Sequence, residues 1–223
     1  GNGVIAISMN RLYEFTYKLE KGALYMDFID PHDIYDKVIV IDAGHGSRMS
    51  GATKNGIQEK DINLDIVLQL KALFDAYDGN IGVYYTRTDD SNPTLQQRAE
   101  LANKAGADLF ISVHNNSSGT GNFTSVNGTQ VLYSESDDRE LGSKKLAQIC
   151  LDNVTAATGS NDFGLLKADD IYIVRSSEAP VALIEVGFMT NRDELAKLAD
   201  PEYQKTAAQG IFNAVLEAVK EGY

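Results

Sequence analysis

The sequence predicts an α/β fold: a single domain built on a twisted, mostly parallel β-sheet with helices on both faces. Two observations carry that expectation. Short apolar strands alternate with segments of helical periodicity from residue 37 onward, the signature of a parallel sheet covered on both sides. In addition, three strands run directly into a metal-competent or acid-base side chain: Val38-Ile39-Val40-Ile41 before His45, Leu109-Phe110-Ile111-Ser112-Val113 before His114, and Ala182-Leu183-Ile184 before Glu185. Open α/β sheets bind ligands outside the carboxyl ends of their strands, so these exits predict one crevice holding two imidazoles and a carboxylate.

Residues 1–36 stand apart from this pattern. Between 4 and 30, Leu12, Glu14, Thr16 and Lys18 alternate against Tyr13, Phe15 and Tyr17, with a turn at Glu20-Lys21-Gly22. This predicts an edge hairpin, or the remnant of an upstream region, ended by Pro31-His32-Asp33. Residues 37–223 are expected to form one unit, which begins with a strand over Lys37 to Ile41 and carries the predicted crevice.

From Glu59 to Tyr77, the residues Ile62, Ile66, Leu70, Leu73, Phe74 and Tyr77 recur at helical spacing and face the sheet. Asp78-Gly79-Asn80 ends that helix, and Ile81 to Tyr85 follows as a strand. Thr94 with Gln97 forms a capping box for the next helix, closed by Gly106. Leu109 to Val113 is a strand, and Asn115 to Gly128 is a polar stretch long enough to be an active-site loop.

Thr129 to Tyr133 reads as a strand, and Ser136 as the cap of a helix reaching Thr158 before Gly159. Strands are expected near Ile171 to Val174 and at Val181 to Val186. Asn191 caps a short helix with Asp193 and Glu194 in its first turn, and Asp200-Pro201 opens a last one to about Lys220.

With 223 residues, the chain has enough length for one domain with a full core. A formal net charge of -12 disfavours nucleic acid and acidic membrane surfaces, both of which are bound through clustered Lys and Arg. No apolar run approaches the ~18 residues of a membrane span, so no membrane insertion is expected. Cys150, the single cysteine, lies among Leu146, Ile149 and Val154 and reads as a buried, inert thiol. A monomer is the expected state.

The chemistry follows from four residues. A hydrolytic zinc site needs three protein ligands and an open position. His45 and His114 supply imidazoles, and Glu59, opening the first helix, can turn its carboxylate back toward the strand ends. Glu185 ends an apolar strand, where burial raises a carboxyl toward the range of a proton shuttle; it is assigned general base and acid. Zn2+ with such a shuttle is suited to amide hydrolysis.

Each residue has a plainer reading: His45 as a turn residue, His114 as a cap, Glu59 as a dipole partner of its helix. Two histidines at matching exits favour metal, and an unpaired buried carboxylate at Glu185 is costly without a purpose. His32 reads as a solvated loop residue, and Arg87 and Arg98 read as structural. No Gly-Lys-Ser/Thr follows Gly44 and Gly46, and no Gly-X-Ser-X-Gly occurs, which argues against nucleotide binding and serine catalysis.

With these residues identified, the chain resembles the zinc-dependent N-acetylmuramoyl-L-alanine amidases of bacteria. The resemblance covers about residues 37 to 221 and is carried by Val40-Ile-Asp-Ala-Gly-His-Gly46, Glu59-Lys-Asp-Ile-Asn-Leu64, Tyr85-Thr-Arg-Thr-Asp-Asp90, Leu95 to Asn103, Ala107 to His114, and Glu185-Val-Gly-Phe-Met-Thr-Asn191. It implies peptidoglycan as substrate, cut between N-acetylmuramic acid and L-alanine, with zinc on His45, Glu59 and His114 and catalysis by Glu185. It further implies a place outside the cell, at the wall or the periplasmic side of the envelope. Some relatives carry a helix after the second histidine that plugs the metal; the short polar stretch here predicts none. The rival readings are a zinc peptidase on free peptides and a catalytically silent wall-binding module.

Overall fold

The computed structural model describes residues 4–119 and 121–223. Its centre is a six-stranded sheet formed by β3 (Lys37–Ala43), β6 (Ile81–Tyr85), β7 (Leu109–Asn116), β8 (Thr129–Tyr133), β9 (Asp162–Lys167) and β10 (Val181–Phe188), in the order β6-β3-β7-β10-β8-β9. Every neighbouring pair is parallel except β10 with β8. The carboxyl ends of β3, β7 and β10 therefore open on the same side.

Alternation along each strand divides the core. Ile39, Ile41, Leu109, Ile111, Ala182 and Ile184 pack against α1 (Glu59–Asp75), α3 (Ser143–Thr158) and α6 (Pro201–Glu221). Val38, Val40, Phe110, Val181 and Leu183 pack against α2 (Leu95–Ala105) and the single turn α4 (Tyr172–Arg175). Period-two side chains on strands buried on both faces give this two-sided core directly. α5 (Arg192–Leu198), capped by Asn191, and α6, opened by Asp200-Pro201, lie where the sequence places them. So does α2, with its Thr94–Gln97 capping box and Gly106 at φ +61°.

Five expectations are corrected. The N-terminal hairpin exists, as β1 (Glu14–Glu20) and β2 (Ala23–Ile29), but it is a separate two-stranded sheet and not an edge of the main one. Pro31 and the 3-10 turn Pro31–Asp33 separate it from β3 and redirect the chain. The stretch Ile171 to Val174 is not a strand: Tyr172–Arg175 is a helical turn whose Ile173 and Val174 fill the core on the α2 side, so packing overrides β-branched propensity.

The missing strand is β9, which the sequence hides behind Gly164, at φ +92°, and a register shift opposite Thr129 and Gln130. Finally, α3 begins at Ser143 and not near Ser136. Asp137 accepts from both the amide and the hydroxyl of Ser143 at 2.7 Å, while Ser136 donates to Asp169 instead. The first helix ends two residues short of Tyr77, which is exposed and packs edge-on against Phe212 at 5.6 Å.

Candidate metal centre

His45 follows β3 in a left-handed conformation, φ 62°, unusual for a residue with a Cβ and costing about 1–3 kcal/mol. Its surroundings hold it there. Arg98 donates to the His45 carbonyl at 2.6 Å and to that of Ala43 at 2.6 Å, and its charge is paired with buried Asp42. Ser112 and Thr86 each donate to Asp42 at 2.6 Å. Burial would raise the Asp42 carboxyl, but Arg98 and these hydroxyls hold it below the usual carboxylate range.

Glu59 opens α1 without any capping side chain at Gln58. Its own amide donates to Ala52 at 2.9 Å, and that of Lys60 donates to Ser50 at 3.1 Å. Two of the orphan donors of the helix start are thus satisfied by the preceding loop, and the Glu59 carboxylate is free to turn inward. There Oε1 lies 3.1 Å from His45 Nε2 and 3.0 Å from His114 Nδ1. Oε2 accepts from the Ala52 amide at 2.8 Å. Burial opposes ionisation of Glu59, yet the hydrogen bonds from the two histidines outweigh it and hold the carboxyl well below its ordinary value.

His114 lies within β7, which continues to Asn116, where the sequence placed the strand end at Val113. Its ring centroid is 4.9 Å from that of His45, edge to face. Gly44 makes that approach possible: a Cβ there would meet His114 Cε1 at 2.2 Å. Burial lowers the His114 imidazole, but the Glu59 hydrogen bond and nearby carboxylates raise it above its ordinary value.

The three expected ligands therefore converge, with one donor atom from each all within 4.8 Å of one another. Two imidazole nitrogens and a carboxylate oxygen are a donor set suited to zinc with a coordination position left for substrate or water. Glu185 stands beside them. It is the parallel register partner of His114, and its Oε2 is shielded from solvent with no hydrogen-bond partner. Burial, against the attraction of His114, moves its pKa up to about 7. A cleft of about 360 Å³, lined in part by His45, His114, Met49, Leu95 and Ile173, opens alongside.

The sequence marks the supporting residues as structural or does not mark them at all. Arg87 and Arg98 are buried, and both grip the backbone around His45. Asn63 was not singled out; it donates to the Gly44 carbonyl at 3.1 Å and to Glu59 Oε1 at 3.3 Å, and accepts from Asn115 at 2.8 Å. The available signal was its position four residues after Glu59, on the same helix face. His32 lies apart from this cluster: its Nε2 is 2.8 Å from the Gly106 carbonyl and 3.9 Å from Asp108 Oδ2. Among the described residues of 117–128, between β7 and β8, there is no helix.

The family described as N-acetylmuramoyl-L-alanine amidase matches residues 39–217, which leaves out the N-terminal hairpin. The chain is 34% identical over 183 residues to the N-acetylmuramoyl-L-alanine amidase LytC of Bacillus subtilis (strain 168), covering 82% of this chain and 36% of that protein. The chain thus spans about a third of LytC, whereas it spans 84% of the uncharacterized protein YqiI of the same organism, at 36% identity over 182 residues and 82% of this chain. Among solved structures, the catalytic domain of CwlV, an N-acetylmuramoyl-L-alanine amidase from Bacillus (Paenibacillus) polymyxa var. colistinus, is similar with a TM-score of 0.75 and 34% identity over 82% of this chain and 98% of that one. The N-acetylmuramoyl-L-alanine amidase of Clostridium difficile 630 gives a TM-score of 0.77 at 32% identity, over 84% and 98%.

Proposed function

The chain belongs to the N-acetylmuramoyl-L-alanine amidase family of enzymes, and from that premise we propose that it is a zinc-dependent hydrolase of peptidoglycan acting at the cell wall, outside the cytoplasm. It cuts the amide between N-acetylmuramic acid and L-alanine. His45, Glu59 and His114 hold the metal, and Glu185 is the general base and acid. The observation that carries this reading is the convergence of three donor atoms within 4.8 Å beside a shielded carboxylate oxygen that has no partner.

A bound zinc ion supplies Lewis acidity toward the scissile carbonyl and acidifies water at the site. The chain's own residues supply the proton handling. Ionised Glu185 takes a proton from the attacking water at its carboxylate, then returns it to the departing nitrogen of the stem peptide. A group whose pKa lies near 7 gives and takes a proton with little cost in either direction at neutral pH. Glu59 is held ionised by the two imidazoles, whose nitrogens lie 3.1 and 3.0 Å from its Oε1, and as an anion it would join them in holding the metal.

Digestion of purified sacculi tests the proposal. Release of intact stem peptides with a free L-alanine amino terminus, from wild type and not from Glu185→Ala, is the expected result. Cleavage inside the stem would favour a peptidase, and equal release by both proteins would end the enzymatic assignment.

A further inference from the structure

We propose that Arg87 is a positioning residue that sets the affinity of the site for its cation, by holding the segments that carry His45 and Glu59 at a fixed separation. The inference depends on the metal reading given above. Arg87 lies just beyond β6 and is 3% exposed. Its guanidinium makes four hydrogen bonds, and every acceptor is a backbone carbonyl.

Nε donates to Ala43 at 2.8 Å, and Nη2 donates both to Gly44 at 2.9 Å and to Lys60 at 2.8 Å. Nη1 donates to Asp89 at 2.9 Å. Two of these acceptors immediately precede His45, and a third immediately follows Glu59. One rigid fork therefore spans the exit of β3 and the first turn of α1.

Among the described residues no carboxylate forms an ion pair with Arg87. A buried cation without such a partner is costly, and here the four backbone carbonyls are what compensate it. Arg98 makes the contrast. It is paired with Asp42 and binds the carbonyls of Ala43 and His45, and among the described residues none of its hydrogen bonds or ion pairs reaches α1. Asn63 crosses the same gap with longer bonds, 3.1 Å to Gly44 and 3.3 Å to Glu59.

A lysine in place of Arg87 keeps the charge but presents its donors from one point in place of the planar fork, so it does not satisfy both segments in one geometry. Groups that orient metal ligands typically contribute about 10–100-fold to metal affinity.

The test strips wild type, Arg87→Lys and Arg87→Gln of metal and titrates each with zinc against a chromophoric chelator. Circular dichroism and the Tm of the metal-free chains are recorded alongside. We expect both variants to fold and to bind zinc about 10–100-fold more weakly, and kcat of Arg87→Lys on sacculi to recover at saturating zinc. Wild-type zinc affinity with a lowered Tm overturns the proposal, as does failure of both variants to fold, since either outcome assigns Arg87 to stability alone. Wild type that binds no zinc sinks the metal reading itself, a result distinct from these.

Discussion

Glu185 and His114 are register partners in the parallel pairing of β10 with β7. Partners in register on adjacent strands project to the same face, with strands about 4.8 Å apart. The carboxyl proposed as proton shuttle is thus set next to a proposed metal ligand by backbone hydrogen bonding of the sheet, with no loop intervening. Any change that slips β10 by one residue would turn Glu185 to the opposite face.

Replacing Glu185 by Gln preserves shape and removes the titrating oxygen. Release of stem peptides should fall by about 100- to 10,000-fold, the usual contribution of a positioned acid or base. Zinc content measured on the same preparation should be unchanged. Loss of zinc together with activity would reassign Glu185 as a ligand.

The same substitution has a pH signature in the metal-free protein. The folded pKa of Glu185 is raised from 4.5 to about 7, so the folded chain holds a proton that the unfolded chain releases. The stabilising contribution of that proton is full below the unfolded value and is lost as pH rises through 7. Glu185→Gln should therefore gain stability over wild type between about pH 4.5 and 7, by at most about 3 kcal/mol, and level off above. Calorimetry across that range on chelated protein would show it, and a constant difference would refute the shift.

Protons and metal compete for the same atoms. His114 holds its proton more tightly than an ordinary imidazole because Glu59 accepts from it. Zinc affinity should therefore fall as pH drops below neutral, and chelation should abolish activity that added zinc restores. Metal analysis should give about one equivalent per chain, lost in His45→Ala. A full complement of zinc in that variant would remove His45 from the ligand set.

Gly44→Ala tests the approach of the two histidines without touching either. The added methyl would lie 2.2 Å from His114 Cε1 and 2.3 Å from Nε2, so the ring must move. Weaker zinc binding and reduced stem-peptide release are expected. Gly119→Ala, with open space around its Cβ, serves as the control for zinc binding and should match wild type there.

Cys150 should be silent toward thiol reagents. It is fully buried, and burial pushes its thiol up to about 12, so almost no thiolate exists at neutral pH. Labelling with a disulfide reagent should proceed at the rate of unfolding. Fast labelling of native protein would show that the segment around α3 opens locally.

Much of this architecture was legible because it is encoded locally. Apolar runs marked β3, β7 and β10, the Thr94–Gln97 pair marked α2, and Asn191 and Asp200-Pro201 marked the last helices. The errors arose where a distant partner decides. Asp137 and Asp169 move the start of α3 and take Ser136 away from capping, and the core on the α2 side coils Tyr172–Arg175 in spite of its β-branched residues.

The same division holds for the site. Residue type and strand periodicity by themselves determined that His45, His114 and Glu185 leave strands at like ends of a parallel sheet, because alternation and burial are properties of short segments. Only the tertiary structure decided that Glu59 reaches both imidazoles, that Gly44 lets the rings meet, and that Arg87 and Asn63 bind the segments carrying His45 and Glu59 together. Those contacts join residues far apart in sequence, and their geometry exists only once the sheet has brought the strand ends side by side.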